Sequence, residues 1–124
     1  MATLVVNAGK AIITNRLMGA GTEPKFIAWG TGAGTAAAAD TTLFTEGPEA
    51  RTTGTSTQQT TSTTSDTYQV VGTVTASGAR TVTNAGTFDV VTSSSGNMFV
   101  KGDFTGVVLG TNDSIAFTIK VQFS

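Results

Sequence analysis

The chain has no histidine and no cysteine, and only one tyrosine, one tryptophan and two prolines among 124 residues. Without histidine it lacks the side chain that most often moves protons near neutral pH, and no Ser-His-Asp triad can form. Without cysteine there are no disulfides, no thiolate metal sites and no thiol nucleophiles. Charge is scarce too: charged residues make up 12% of the chain, well under the usual globular share. The formal net charge is −1, so electrostatics gives no reason to expect nucleic acid or an anionic membrane as partner. The seven Lys and Arg lie no closer than six positions apart and form no linear basic patch. No run approaches the roughly 20 apolar residues of a membrane span. The opening MATLVVNAGKAIITNRL does not read as a signal peptide, because Asn7 and Lys10 interrupt the short apolar run Leu4–Val6. The expectation is a protein made and kept in the cytoplasm until it assembles or the cell lyses.

What the chain does have is 26 threonines, nine serines and 15 glycines. Its length suits a single domain over 1–124, and a hydrophobic content of 39% can fill one core. Residues 7–18, NAGKAIITNRLM, predict the one helix, with Asn7 as N-cap and Gly19 and Gly21 as stops. Together with the residues before it, this forms an N-terminal arm and helix over 1–21. Lys25–Trp29 reads as a short buried strand that runs into Gly30-Thr31-Gly32-Ala33-Gly34. Asp40 could cap a short helical turn through Leu43 and Phe44. From Glu49 to Thr64 no large apolar residue occurs. This Thr-rich stretch, 49–67, predicts an exposed edge strand, a long ribbon, or a loop ordered only on assembly.

The second half reads as β throughout. Thr67–Ala76 points Tyr68, Val70 and Val74 inward, with Gly72 marking a possible bulge. Arg80–Val91 alternates Val82, Phe88 and Val90 around a break at Gly86. Ser93–Asn97 is a hairpin loop, Met98–Phe104 a strand and Val107–Leu109 a short apolar strand. Ile115, Phe117, Ile119, Val121 and Phe123 alternate strictly and give the last strand. About seven short strands at this spacing predict a mainly β fold: an antiparallel β-sandwich or jelly roll with one short N-terminal helix.

Candidate chemistry is thin. Gly30, Gly32 and Gly34 are spaced GxGxG and not GxGxxG, no strand-helix-strand unit follows, and no GK[ST] is present, so a turn is expected there in place of a nucleotide loop. Glu46 and Glu49 could pair as acids, but they flank Gly47-Pro48, which reads as a solvated turn. Asp113 sits in a tight turn, where aspartate bonds its own backbone. Thr53, Thr55 and Thr57 make one short hydroxyl row, and Thr61 and Thr63 another, with no period joining them into an ice-ordering array. Trp29 is read as buried, although a lone Trp beside glycine could stack on a sugar. The expectation is a protein without catalytic residues, cofactor or metal.

Three stretches carry a resemblance. They are Asn7–Leu17 with TEPKFIAWGTG at 22–32; DTYQVVGTVT at 66–75; and VTNAGTFD at 82–89 with GNMFVKGDF at 96–104, followed by Gly110–Ile119. In this order they resemble small virion structural proteins of tailed bacteriophages, of the head decoration (cement) type. The resemblance implies a non-enzymatic protein, made in the host cytoplasm and bound in many copies to the capsid surface of the virion. There it would link neighbouring major capsid protein subunits and stabilise the shell. The implied partners are the major capsid protein and further copies of the chain itself, as a homotrimer or a dimer, with no nucleic acid and no membrane. A tail or baseplate component is the alternative, and a carbohydrate-binding module using Trp29 and Tyr68 stands behind it. The contact regions expected from the sequence are Leu4, Val5 and Val6 in the arm, and Arg51, Thr53, Thr55 and Thr57 in the Thr-rich stretch.

Overall fold

Val6 is fully buried, and its backbone N–H donates to the Phe99 carbonyl at 3.1 Å. That contact fixes how the chain begins. In the computed structural model, which describes residues 2–124, strand β1 (Thr3–Val5) runs directly into helix α1 (Asn7–Leu17). Val6, in extended conformation, stands at the cap position, and no side chain caps the helix. Asn7 is therefore the first helical residue and not the cap that the sequence suggested. Strand pairing and core burial position this helix start, so local capping is not needed. Gly19 and Gly21 end the helix in left-handed conformation, with φ of 82° and 76°.

Among the described residues, seven further strands follow: β2 (Phe26–Gly30), β3 (Thr52–Thr53), β4 (Thr55–Gln59), β5 (Thr67–Thr75), β6 (Arg80–Phe88), β7 (Met98–Leu109) and β8 (Ser114–Gln122). They form two antiparallel sheets, ordered β1-β7-β6-β2-β3 and β4-β5-β8. The sheets pack face to face as a mainly β sandwich. Ile27, Trp29, Val82 and Ala85 of the larger sheet meet Val70 and Val74 of the smaller one. Each fully buried side chain of this size contributes about 1.5–3 kcal/mol of transfer free energy.

A second apolar layer lies on the outer face of the five-stranded sheet. Ala28 alternates with Ile27 and Trp29, so it points away from the sandwich core. There it packs with Val6, Phe88, Met98 and Leu43. Leu43 comes from the long connection between β2 and β3, which is laid down by Thr31 N–H to Thr45 O at 3.0 Å and Gly32 N–H to Phe44 O at 2.8 Å. No helical turn forms near Leu43 and Phe44. Asp40 instead accepts from the Ala37 N–H at 2.9 Å.

The Thr-rich stretch becomes edge strand twice over. β3 pairs with β2 on the larger sheet, and β4 pairs with β5 on the smaller one. The chain crosses between the sheets at Gly54, where a Cβ would stand 2.4 Å from Val70 Cγ1. Other glycines differ from expectation for the same reason of close approach. Gly72 causes no bulge, because β5 stays in register with β4 and β8; its Cα faces the Ile27 side chain. Gly86 does not break β6, since it pairs with Lys101 and a Cβ there would meet the Val100 carbonyl at 2.4 Å. The irregularities fall instead at Val82/Asn84 and Thr87/Phe88. At the second, β7 carries the extra residue, which lets the adjacent Phe99 and Val100 join one cluster with Ile12 and Val121. β7 runs unbroken through Thr105 and Gly106, where the sequence suggested two strands.

Candidate interaction surface

The residues expected to meet a partner divide sharply. Leu4 and Val5 are half-buried in β1, paired with Lys101 and Val100, and Val6 is fully buried. The N-terminal segment is thus an integral strand, and not an arm that can be removed with the sandwich left intact. Arg51 is only 4% exposed. Its Nε and Nη2 donate to Glu46 at 2.9 and 3.0 Å, and its Nη1 donates to the carbonyls of Val90 and Ser95 at 3.0 and 2.9 Å. The guanidinium also lies 3.6 Å over the Phe88 ring. Arg51 ties the 89–97 loop to the sheet and is buried there, where the sequence suggested a contact residue. Thr53, Thr55 and Thr57 are exposed as expected, but the row is split: Thr53 edges one sheet, and Thr55 and Thr57 edge the other.

Several other ionisable groups also serve the fold. Glu49 accepts from Trp29 Nε1 at 2.9 Å and from the Ser77 N–H and hydroxyl at 3.0 Å each, with Arg80 Nε at 3.2 Å. Burial pushes its carboxyl up, but the bonds from Ser77 and Trp29 outweigh burial and hold it down at about 2. Glu46 and Glu49 are therefore anchors on either side of a turn and not a solvated pair. Lys101 is fully buried, with Nζ 2.9 Å from both Asp40 Oδ2 and the Thr42 carbonyl and 3.2 Å over the Phe44 ring. The bond from Lys101 draws the Asp40 carboxyl down. Asp66 accepts from the N–H groups of Thr61, Ser62 and Thr63, and these bonds, that from Thr63 foremost, hold it well below the usual carboxylate range. Burial raises the Tyr68 hydroxyl, which donates to Glu23 at 2.9 Å.

Neither a nucleotide nor a sugar site emerges from the sequence candidates. The N–H groups of Thr31 and Gly32 are taken by Thr45 and Phe44, and a Cβ at Gly30 would meet the Phe44 carbonyl at 2.4 Å. These glycines allow a backbone to pack against a backbone. Trp29 is buried with its indole N–H bound to Glu49, so its ring cannot stack on a ligand. Among the described residues no group of three or more His, Cys, Asp or Glu could hold a metal ion, and no helix is long and apolar enough to cross a membrane.

The surface also presents apolar side chains. Leu17 and Met18, at the end of α1, are 82% and 76% exposed. Leu17 also lines a groove of about 310 Å³ with Ile12, Ile13, Tyr68, Phe99 and Phe123, with Arg16 and Glu23 in its wall. Val108 is 79% exposed near the far end of β7, next to Val107. By sequence, Leu17 has a place in the helix's apolar spacing and Val107–Leu109 is a short apolar strand. One signal was available for the second patch: adjacent apolar residues in a strand point to opposite faces, so one of Val107 and Val108 had to face outward.

The chain matches no protein-family model, no curated protein and no solved structure.

Proposed function

We propose that this protein is a non-enzymatic virion subunit of the head decoration kind, which binds the outer shell of a tailed-phage capsid in many copies and links neighbouring major capsid protein subunits. The observation that carries this reading is the pair of exposed apolar patches at the two ends of β7. α1 packs on the start of that strand through Ile12 and Phe99, and Val108 lies near its other end. Nine positions of extended chain lie from Phe99 to Val108, a span of roughly 25–30 Å at about 3.3 Å per residue. One molecule can thus touch two neighbours at once. Many such contacts, each weak, sum to a strong lattice effect through multivalency. The sparse charge fits the same role: Arg51 and Lys101 are buried in the fold, and exposed threonines and apolar side chains dominate the rest of the surface.

Immunogold labelling of intact virions, together with a copy count per particle, tests the proposal. Many copies spread over the head are expected. A few copies at the tail tip would replace the head role with a baseplate role, and absence from the particle would overturn the structural reading altogether.

A further inference from the structure

Edge strands are where one β protein meets another, because their outer N–H and C=O groups are unpaired. The edges here are β1 and β3 on the larger sheet and β4 and β8 on the smaller. Three of them are short, with three, two and five residues. β8 has nine residues and pairs with β5 without a bulge from Ser114 to Gln122. It contains no proline and no glycine, and Lys120 is its only charge. Apart from that lysine, none of the devices that usually blunt an edge is present.

The side chains of β8 specify what fits. Ile115, Phe117, Ile119 and Val121 face the core, and Ser114, Ala116, Thr118, Lys120 and Gln122 face outward. Ile115, Phe117 and Ile119 remain only half-buried, since no strand lies beyond β8 to cover them. The sandwich is open beside them. A cleft of about 210 Å³ reaches between the sheets, lined by Thr3, Gly102, Phe104, Phe117 and Ile119 among others. On the opposite side the chain itself closes the sandwich at Gly54.

We propose that β8 is a self-association edge. Two copies pair their β8 strands antiparallel about a twofold axis at Thr118, which merges two three-stranded sheets into one of six strands. Full overlap of the strands sets Thr118 opposite its own copy. On the outer face Ala116 then meets Lys120 and Ser114 meets Gln122, so no like charges oppose each other. On the inner face Phe117 meets Ile119 and Ile115 meets Val121, so each half-buried apolar residue gains an apolar neighbour. The contact is isologous and closes on itself. The head-to-tail alternative, β8 against β4 of the next copy, is the pairing a ring such as a trimer would need. It would set Phe117 and Ile119 beside Ser56 and Gln58, which take the inner-face positions of β4 opposite Val70 and Tyr68. The twofold pairing is the better match. It concerns contact between copies and holds whatever surface the protein decorates.

Sedimentation velocity of the full chain over a range of concentrations tests this, with Thr118→Lys, Thr118→Glu and an equal mixture of the two. Thr118 is exposed, so both variants should keep the wild-type far-ultraviolet circular dichroism. The wild type is expected to dimerise, each variant alone to shift to monomer, and the mixture to recover the dimer. Thr118→Cys gives a second readout, since the chain has no other cysteine. Mild oxidation should yield a disulfide-linked dimer, because directly opposed antiparallel residues lie within disulfide reach. A wild type that stays monomeric, a wild-type trimer, an oligomer unaffected by Thr118→Lys, or a Thr118→Cys that oxidises without cross-linking would each overturn the proposal.

Discussion

A guanidinium taken out of water must find partners for its donors, and Arg51 makes four hydrogen bonds, to Glu46, Val90 and Ser95. Arg51→Ala would leave Glu46 without its counter-charge and free the 89–97 loop. Breaking a buried pair in this way costs about 3–5 kcal/mol, to be read by urea unfolding. A loss under about 1 kcal/mol, the range of an exposed pair, would show that the contact is idle. Glu49 sets a pH dependence. Its carboxyl lies at about 2 in the folded protein against an ordinary 4.5, so below 4.5 the unfolded chain takes up the proton first. The stabilisation is complete above 4.5 and lost as pH falls toward 2, with an upper value of about 3 kcal/mol. The lowered carboxyls of Asp40 and Asp66 act in the same direction. Glu49→Gln should therefore flatten the fall in stability between pH 7 and pH 3, and equal slopes in the two proteins would remove Glu49 as the cause.

At the scale of elements, the helix and its strand meet through a glycine. Helix propensity alone says that Gly9→Ala stabilises by about 1 kcal/mol. Here a Cβ would lie 2.2 Å from the Phe99 carbonyl oxygen, which is backbone and cannot rotate away. The expected sign is reversed: Gly9→Ala destabilises by about 1–3 kcal/mol through overpacking, measured as a fall in the unfolding midpoint. An unchanged or raised midpoint would mean that the α1–β7 contact is looser than drawn. Val6 argues the same way for β1. Because it is fully buried between strand and helix, removing the first six residues should destabilise the whole sandwich and not merely weaken a surface contact.

At the scale of the whole molecule, the two apolar patches call for separate tests. Leu17→Asp and Val108→Asp each change a side chain exposed by more than three-quarters, so the fold should survive both. Under the decoration reading each variant alone lowers occupancy on purified heads, and the double variant lowers it by more than the two single effects added. That excess is the mark of a molecule gripping two neighbours through separate contacts. Wild-type occupancy of the double variant would place the binding surface elsewhere.

The sequence by itself determined the class of the fold, because strand alternation is a local property. Ile115, Phe117, Ile119 and Val121, with Val70 and Val74, face inward as their spacing says. It also determined the helix, whose glycine stops act within one turn, and the edge character of the Thr-rich stretch, which has no apolar residue to bury. Tertiary structure alone decided the rest. Arg51 looks like a surface charge until the fold brings Glu46 and the 89–97 loop around it. Val6 looks like part of a free arm until β7 pairs with β1. Gly72 and Gly86 look like strand breakers until neighbouring chains press against them. In each case the deciding partner is distant in sequence, and local spacing carries no information about which distant chain will arrive.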